Sequence, residues 1–296
     1  MLILFPHRLG QMKNGVQNTP LFLQKLLKNN SRELRSFLPV GISPSVPTGK
    51  KPTGKKPKVR YTIVECNNSD KNKYKNMVHN LKNLYTSNQS ILGRKINIGG
   101  DHSMSIATLA DSLNKFADKD LKVLWFDAHP DINTYESSES KNFHGMPLSY
   151  LTGLNENPDF SFIQHKLNFN NLMYIGIRDI DCYEKKIIAK KNIKYITCDE
   201  INNDFNKSLE KIIKFTADNP IHLSFDVDCM DPEIIPCTGT THGNGLNLMN
   251  TKKILDRLVH ANIINMDLTE INLELGNEEE QKKTISNTLH LFDKYL

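Results

Sequence analysis

The stretch KVLWFDAHPDIN, residues 122–133, decides the fold of this 296-residue chain. Its first five residues form an apolar run typical of a buried β-strand. The run ends in polar side chains at every second position, Asp127, His129 and Asp131. Because alternate side chains of an extended backbone point to the same side, these three are expected to converge at the end of the strand. Two carboxylates and an imidazole at such short range favour a bound cation, and the alternative is a solvated turn, in which Asp, Pro and Asn are common.

The rest of the chain alternates short apolar runs with helical patterns. Strands are predicted at residues 1–5, 61–64, 96–98, 122–126, 172–177, 194–196, 221–225 and 263–266. Helices are predicted at residues 21–37, 71–85, 103–116, 183–190, 205–217, 251–260 and 278–295, with Ser103 as the N-cap of the third. This alternation predicts an α/β fold with a parallel sheet covered by helices on both faces. In such folds the functional residues lie beyond the carboxyl ends of the strands.

The composition is that of an ordinary globular protein, with 38% hydrophobic and 24% charged residues. The length suits two small domains or one large α/β domain, and we expect a single domain over residues 1–296. No apolar run reaches the roughly 20 residues of a membrane span, and the apolar N-terminus is too short for a signal peptide. The five cysteines contain no CxxC pair, which argues against structural zinc and against a disulfide framework. A reducing, cytoplasmic location is therefore predicted.

Residues 39–60 differ from the rest of the chain, because they are rich in proline and contain a doubled Gly-Lys-Lys-Pro. The segment also accounts for the formal net charge of +5, since it holds Lys50, Lys51, Lys55, Lys56, Lys58 and Arg60. This composition predicts a mobile basic surface loop inserted into the domain. A nuclear-localisation or anion-binding role is the alternative. Binding to nucleic acid is not expected, because the rest of the chain is close to neutral.

Acidic residues and histidines follow most of the predicted strands. They are Asp101 and His102 after the third strand, Asp127, His129 and Asp131 after the fourth, Asp179 and Asp181 after the fifth, Asp226 and Asp228 after the seventh, and Asp267 and Glu270 after the eighth. Helix caps explain an isolated aspartate at a strand end, but they do not call for alternating pairs. Two imidazoles with about four carboxylates and no thiolate favour Mn²⁺ over Zn²⁺ and disfavour copper. Because so many ligands exceed one tetrahedral site, a pair of bridged ions that activates water for hydrolysis is predicted.

Four stretches, in this order, resemble the ureohydrolase family, whose members include arginase, agmatinase and formiminoglutamase. They are GGDHS at 99–103, DAHPDIN at 127–133, HGMP at 144–147, and SFDVD at 224–228 followed by Asp231-Pro232. The match in order and spacing covers roughly residues 95–275, and the arginase branch is the most similar. The resemblance implies a three-layer α/β/α fold around a parallel eight-stranded sheet, with two Mn²⁺ at its carboxyl edge. It also implies assembly into trimers or hexamers.

The resemblance further implies the roles of individual residues. By motif position, one ion is held by His102, Asp127, Asp131 and Asp226, and the other by His129, Asp127, Asp226 and Asp228. Asp131 orients the hydroxide that attacks a guanidinium carbon, His144 protonates the leaving amine, and Glu270 anchors the guanidinium. Asp101 is expected to stabilise a turn or to support a ligand rather than to bind metal.

The loop after the second motif is similar to the arginase version of this loop and has no gap. In arginases, the residues at the positions of Asn133 and Ser140 bind the α-carboxylate, and the residue at the position of Asp181 faces the α-amino group. Neutral donors suit a carboxylate and an anion suits an ammonium, so L-arginine is predicted as the substrate, cleaved to urea and L-ornithine. The predicted substrate contacts are Asn133, Ser140, Asn142, Asp181, Glu184, Thr240 and Glu270.

Three features depart from the family pattern. Lys141 replaces a usual small residue and adds a cation beside the predicted carboxylate site. The proline usual after Thr-Gly-Thr is absent from residues 236–243, where His242 is new. The basic insertion differs in length and composition. Several alternatives therefore stay open. They are hydrolysis of agmatine, of another guanidino acid or of formiminoglutamate, and, from a different class, a binding protein that keeps the fold without catalysis.

Overall fold

The computed structural model describes residues 1–28 and 60–296 of the chain. The basic insertion predicted at residues 39–60 lies outside these ranges apart from Arg60. The second half of the helix predicted at residues 21–37 also lies outside them.

The described residues form one eight-stranded sheet in which every neighbouring pair of strands is parallel. The strands are β1 Leu2–Phe5, β2 Tyr61–Ile63, β3 Lys95–Gly99, β4 Lys122–Phe126, β5 Leu172–Ile175, β6 Lys194–Ile196, β7 Ile221–Asp226 and β8 Ile263–Thr269. They lie in the order β2-β1-β3-β8-β7-β4-β5-β6. The predicted α/β fold with an eight-stranded parallel sheet is therefore confirmed.

Helices cover both faces of the sheet. They are α1 Thr19–Lys28, α2 Lys73–Gln89, α3 Ser105–Lys115, α4 Pro147–Thr152, α5 Cys182–Lys191, α6 Cys198–Asn203, α7 Phe205–Thr216, α8 Leu248–Leu258 and α9 Glu278–Leu291. Apolar residues of α1, α6, α7, α8 and α9 pack in one core. Those of α2, α3, α4 and α5 pack in a second core on the opposite face. The molecule thus has the three layers that the resemblance implied.

Strand β4 explains why the sequence predicted this arrangement. Leu124 and Phe126 contribute to one core, whereas Val123 and Trp125 contribute to the other. All four side chains are fully buried. A strand covered on both faces must be apolar at successive positions, which is the pattern that residues 122–126 show.

Strand β8 is longer than the sequence predicted, because it continues past Met266 to Thr269. Asp267 was expected to follow this strand at the carboxyl edge, and that expectation was wrong. Its buried carboxylate lies inside the sheet and accepts hydrogen bonds from Ser105 and Thr108 of α3. It also lies 3.2 Å from Nε2 of His222. These partners satisfy a charge that would otherwise be costly to bury.

The turn after β3 also differs from the prediction. Ser103 does not cap the following helix, because it lies inside a short 3₁₀ turn at His102–Met104 that precedes α3. Asp101 is the cap of this turn, and its carboxylate accepts from the backbone N–H of Ser103 at 3.1 Å. The other carboxylate oxygen of Asp101 accepts from the backbone N–H of Gly10 at 2.9 Å. Asp101 therefore stabilises a turn, as expected.

The five cysteines are all unpaired, in agreement with the sequence prediction. No helix in the two described ranges is long and apolar enough to cross a membrane.

Candidate metal centre and substrate cavity

Four neighbouring strands bring the predicted ligands together at the carboxyl edge of the sheet. His102 follows β3, Asp127 follows β4, Asp226 is the last residue of β7, and Glu270 follows β8. These strands are adjacent in the order β3-β8-β7-β4. Because all strands run in the same direction, residues far apart in the sequence meet at this one edge.

The first candidate ligand group surrounds the buried imidazole of His102. Its Nδ1 atom lies 3.0 Å from Asp127 Oδ2, 3.0 Å from Asp131 Oδ2 and 3.1 Å from Asp226 Oδ2. Burial acts to lower the pKa of His102, but the three carboxylates outweigh it and raise this pKa well above its usual value. On the other side of the ring, Nε2 lies 2.8 Å from the hydroxyl of Ser224, which fixes the orientation of the imidazole.

The second candidate group shares Asp127 with the first and is centred on His129. Nδ1 of His129 lies 3.3 Å from Asp127 Oδ1 and 3.1 Å from Asp228 Oδ2. Its Nε2 lies 3.3 Å from Asp179 Oδ2, an outer partner that holds the ring. One ligand atom from each of His102, Asp127 and Asp226 lies within 4.8 Å of the others, and the same holds for Asp127, His129 and Asp228. The predicted contribution of Asp226 to this second ion stays a prediction.

The backbone also fixes the ligands. Asp131 and Glu270 both have left-handed conformations, with φ of 50° and 65°, which non-glycine residues rarely adopt. Asp226 accepts from the backbone N–H of Asp228 at 2.9 Å, and Asp228 accepts from that of Ala128 at 3.1 Å. Left-handed backbone conformations such as those of Asp131 and Glu270 are typical of sites where the surrounding structure determines the position of a functional side chain.

Burial and mutual repulsion shift the pKa values of the carboxylates. Burial and then the neighbouring carboxylates raise the pKa of Asp226 well above its usual value. Burial and the charge of Asp127 raise the pKa of Asp131 to about 7. Burial acts on Asp127 in the same direction, but His102 and His129 outweigh it and hold the pKa of Asp127 well below its usual value. Several buried carboxylates therefore share only two imidazoles as cationic partners, and a bound cation would offset the repulsion between the carboxylates.

One polar atom identifies where a cation fits. Nδ1 of His102 is buried and makes no hydrogen bond to any described residue, although three carboxylate oxygens surround it. A lone pair directed at a cation explains this arrangement better than a neutral core histidine does. The donor set of oxygens and imidazole nitrogens suits Mn²⁺.

A cavity of about 200 Å³ opens above the two ligand groups. Its lining residues are His129, Asp131, Asn133, His144, Gly145, Asp179, Asp181, Glu184, Asp226, Asp228 and Thr240. Predicted metal ligands thus form the floor, and four predicted substrate contacts form part of the wall. The other three, Ser140, Asn142 and Glu270, are not among the lining residues, and their assigned substrate contacts stay predictions.

Asn133 and Asp181 contact each other on the cavity wall. Nδ2 of Asn133 donates to Asp181 Oδ2 at 2.7 Å, and Ser137 donates to Oδ1 of Asn133 at 2.7 Å. The other oxygen of Asp181 accepts from the backbone N–H of Glu184 and caps α5. Burial, followed by the charges of Asp181 and Asp131, raises the pKa of Glu184 to about 8. Asp181 therefore stabilises a helix as well as facing the cavity.

His144 and Glu270 form a second polar pair beside the ligand groups. Nδ1 of His144 lies 3.3 Å from Glu270 Oε1, and the same oxygen accepts from the backbone N–H of His102 at 2.8 Å. Burial acts to lower the pKa of His144, but the charge of Glu270 outweighs it and raises this pKa above its usual value. The pair combines a proton donor with an anion, as cleavage of a cationic substrate requires.

Comparison with known proteins decides the family. The chain matches the Arginase family over residues 32–293. The chain belongs to the arginase family. The arginase of Entamoeba histolytica is 32% identical over 294 residues, which cover 98% of this chain and 96% of that protein. The arginase of Emericella nidulans is 40% identical over 192 residues, which cover 61% of this chain and 59% of that protein.

Solved structures of the arginase family are similar in fold. The arginase of Entamoeba histolytica in complex with L-ornithine has a TM-score of 0.80 at 28% identity, and covers 98% of this chain and 97% of that chain. An arginase of Bacillus subtilis has a TM-score of 0.81 at 26% identity, and covers 99% of this chain and 96% of that chain. The protein is therefore a metal-dependent ureohydrolase. The arginase family implies a binuclear metal site, and the two groups that share Asp127 are its candidate ligands.

Two residues that depart from the usual arginase-family sequence lie away from the centre of the cavity. The ammonium of Lys141 donates to the backbone carbonyl of Tyr135 at 2.6 Å and lies over the Tyr135 ring. His242 is half exposed, and its Nε2 lies 3.0 Å from Asp179 Oδ2. Neither residue lines the cavity of this arginase-family chain. His242 instead contacts the carboxylate that holds His129.

Arg178 is a positioning residue to which no motif of the sequence assigned a role. Its guanidinium donates to the backbone carbonyls of Asp228 at 2.8 Å, of Cys229 at 3.2 Å and of His242 at 2.7 Å. It therefore joins the turn that carries a candidate metal ligand to the loop that carries Thr240. An arginine directly after the apolar run at residues 172–177 was the available signal, but its carbonyl partners could not be predicted from the sequence.

Proposed function

We propose that this protein hydrolyses L-arginine to urea and L-ornithine with two Mn²⁺ ions at the sheet edge. The observation that carries the proposal is the contact between Asn133 and Asp181 on the cavity wall. L-arginine presents a carboxylate and an ammonium on one carbon, so an amide donor beside an acidic side chain matches both. Agmatine lacks the carboxylate and would leave the second hydrogen of the Asn133 amide, which Asp181 does not use, without a substrate partner.

The similarity to known arginases supports the same choice of substrate. The solved arginase of Entamoeba histolytica, which covers 98% of this chain, contains L-ornithine, the product that the proposed reaction would release. The α-amino and α-carboxylate groups of L-ornithine and L-arginine are the same, so one wall can serve both substrate and product.

The proposed chemistry divides between the ions and the side chains. Two Mn²⁺ ions, held by His102, Asp127, His129, Asp131, Asp226 and Asp228, would lower the pKa of water and so supply the nucleophile near neutral pH. Asp131 would accept a hydrogen bond from this water and orient it toward the guanidinium carbon. Glu270 would accept hydrogen bonds from two N–H groups of the planar guanidinium and hold the carbon in place.

His144 would return a proton to the leaving nitrogen. Cleavage of the bond between the guanidinium carbon and the chain nitrogen leaves an amine, which must gain a proton to depart as L-ornithine. The raised pKa of His144 favours a proton on this imidazole near neutral pH. The proton that the water loses and the proton that the amine gains then balance.

A substrate panel tests the proposal. The purified protein would be loaded with Mn²⁺, and urea release would be measured with L-arginine, agmatine and guanidino acids. L-arginine should have the highest kcat/KM, and chelation should abolish turnover until Mn²⁺ is returned. A higher kcat/KM for agmatine would overturn the choice of substrate. No urea from any of these compounds, and no formamide from formiminoglutamate, with two ions bound, would instead indicate a non-catalytic binding protein.

We also propose that the chain forms a single domain over residues 1–296 and assembles into trimers or hexamers, both by family resemblance. Light scattering of the Mn²⁺-loaded protein would measure the mass of the assembly. A monomer at micromolar concentration would contradict the second proposal.

A further inference from the structure

A buried amide contacts the residue that would hold the guanidinium. The side chain of Gln11 is almost fully buried, and its Nε2 donates to Glu270 Oε2 at 2.7 Å. A carboxylate oxygen only accepts, so this contact determines which end of the amide faces Glu270. Within the described residues, Oε2 of Glu270 accepts no other hydrogen bond.

The two oxygens of Glu270 are held from different directions. Oε1 accepts from the backbone N–H of His102 at 2.8 Å and lies 3.3 Å from Nδ1 of His144. Oε2 contacts Gln11. The backbone of Glu270 is also fixed, because its left-handed φ of 65° is accompanied by a hydrogen bond of its N–H to the carbonyl of Gly100. The rest of the described site therefore holds only Oε1 of Glu270, and the hydrogen bond from Gln11 to Oε2 fixes the plane of the carboxylate.

The loop that carries Gln11 is itself tightly anchored. The backbone N–H of Gly10 donates to Asp101, and the carbonyl of Gly10 accepts from the backbone N–H of His144 at 3.1 Å. A Cβ atom at Gly10 would lie 2.3 Å from Asp101 Oδ1, so only glycine allows this approach. On the other side, Lys73 donates to the carbonyl of Gln11 at 2.8 Å. The amide is thus held in place before any substrate binds.

We propose that Gln11 is a positioning residue that sets the plane of the Glu270 carboxylate for a bidentate contact with the guanidinium. This inference rests on the proposed function, because it takes Glu270 as the guanidinium anchor. A bidentate contact requires both carboxylate oxygens of Glu270 in the plane of the guanidinium. Rotation about the last side-chain bond of Glu270 would break one of the two hydrogen bonds between the guanidinium and this carboxylate. Loss of one such hydrogen bond to a charged group weakens substrate binding by about 10- to 100-fold.

The test compares Gln11→Met with Gln17→Met. Methionine keeps the volume of Gln11 and removes the donor. Gln17 lies in the same loop, but its side chain accepts from the backbone N–H of Gly15 and does not contact Glu270. Gln11→Met should raise KM for L-arginine about 10-fold or more, and Gln17→Met should leave it unchanged. Inhibition by L-ornithine, which has the same α-amino acid end and no guanidinium, should keep its constant in both variants.

A second variant sharpens the test and guards against misfolding. Gln11→Glu keeps the length and polarity of the side chain but places a second acceptor against Glu270, so its KM should rise further than that of Gln11→Met. Gln11→Met should retain two Mn²⁺ ions and the melting temperature of the Gln17→Met control within a few degrees, whereas Gln11→Glu buries a second carboxylate and should melt at a lower temperature. An equal loss of L-ornithine binding, or an unchanged KM for L-arginine, would overturn the inference, since the first result indicates general disruption and the second no role.

Crystal structures separate this inference from the proposed function. In Mn²⁺-loaded Gln11→Met, the Glu270 carboxylate should rotate relative to its orientation in the wild type and in Gln17→Met. If the wild type hydrolyses no guanidino compound, the proposed function fails, and this structural comparison still decides the positioning. An unrotated carboxylate would overturn it.

Discussion

Asn133 and Asp181, which lie 48 residues apart in the sequence, contact each other at 2.7 Å on the wall of the cavity. Ser137 holds the amide oxygen of Asn133, so the amide nitrogen must face Asp181. That nitrogen carries two hydrogens, and only one is used by Asp181. The second remains for a substrate carboxylate, while the carboxylate of Asp181 supplies an anion for a substrate ammonium. Asn133 would thus bind the carboxylate and Asp181 the ammonium of the same substrate α-carbon, from two different loops.

This division predicts that the two residues select different groups of the substrate. Asn133→Asp places an anion opposite the substrate carboxylate and should lower kcat/KM at least about 10-fold for L-arginine and for 5-guanidinopentanoate, which has no ammonium. Agmatine, which has no carboxylate, should be affected far less. Steady-state urea release with the three compounds measures this.

Asp181→Asn should show the opposite selectivity. Asparagine is as good an N-cap as aspartate, so α5 keeps its start and the loss is that of the charge. L-arginine and agmatine, which both carry the ammonium, should lose about 10-fold or more in kcat/KM, and 5-guanidinopentanoate should not. Asp181→Ala should in addition lower the free energy of unfolding by about 1 kcal/mol, because it removes the cap. Identical losses for all three compounds in both variants would remove the argument for L-arginine.

Asp228→Asn is expected to separate the two metal ions. Asparagine can still accept the hydrogen bond from Ala128, but it removes an anionic ligand from the group around His129. Metal analysis should fall from about two ions to about one per chain, and kcat should fall at least about 100-fold. Glu233→Gln, an exposed change on the same loop, is the control. Full turnover with one ion bound would contradict a two-ion mechanism.

The binding of Mn²⁺ should depend on pH near neutrality. Burial and the charge of Asp127 raise the pKa of Asp131 to about 7 in the absence of a cation. Below that pH the acid holds a proton that the ion must displace, so the affinity for Mn²⁺ should fall as the pH drops from 8 to 6, by up to about 10-fold per unit. Calorimetry in buffers of different ionisation enthalpy would detect the released proton. Asp131→Asn should bind more weakly at every pH but release fewer protons, and an affinity that is flat over this range would contradict the prediction.

The same raised pKa has a consequence for the stability of the metal-free protein. The folded chain keeps the proton of Asp131 up to about pH 7, whereas the unfolded chain loses it near the usual value of 3.8. The folded state therefore binds more protons in this window, and this group's contribution to stability is lost as the pH rises. Thermal unfolding in chelator should show a downward trend between pH 5 and 7 that is weaker in Asp131→Asn.

The sequence alone was sufficient to predict the sheet and most of the metal-binding edge. Asp127, His129 and Asp131 alternate after an apolar strand, and both facts are local. That the ligands of distant strands meet is a consequence of parallel topology, in which all carboxyl ends share one edge. Strand boundaries were predictable where an apolar run ended at a turn. They were not predictable at Asp267, because partners from α3 allow an acid to continue the strand.

The contacts that orient the site could not be predicted, because they join loops that are distant in the sequence. Gln11 reaches Glu270 across 259 positions, and Arg178 binds carbonyls of a turn about 50 residues further on. Neither residue type carries a motif of its own. Their partners are backbone groups or single oxygens, whose positions depend on how the loops pack.

The sequence and the structure lead to different expectations for the role of Lys141. The sequence placed its cation beside the substrate carboxylate, but the ammonium contacts Tyr135 and Glu136 instead. Lys141→Gly should therefore change KM for L-arginine less than about threefold. Lys141 also has a left-handed φ of 58°, which glycine adopts without strain and alanine does not. The glycine variant should thus be more stable than Lys141→Ala by about 1 kcal/mol in chemical denaturation. If Lys141→Gly instead raises KM for L-arginine but not for agmatine, the ammonium moves to the substrate on binding.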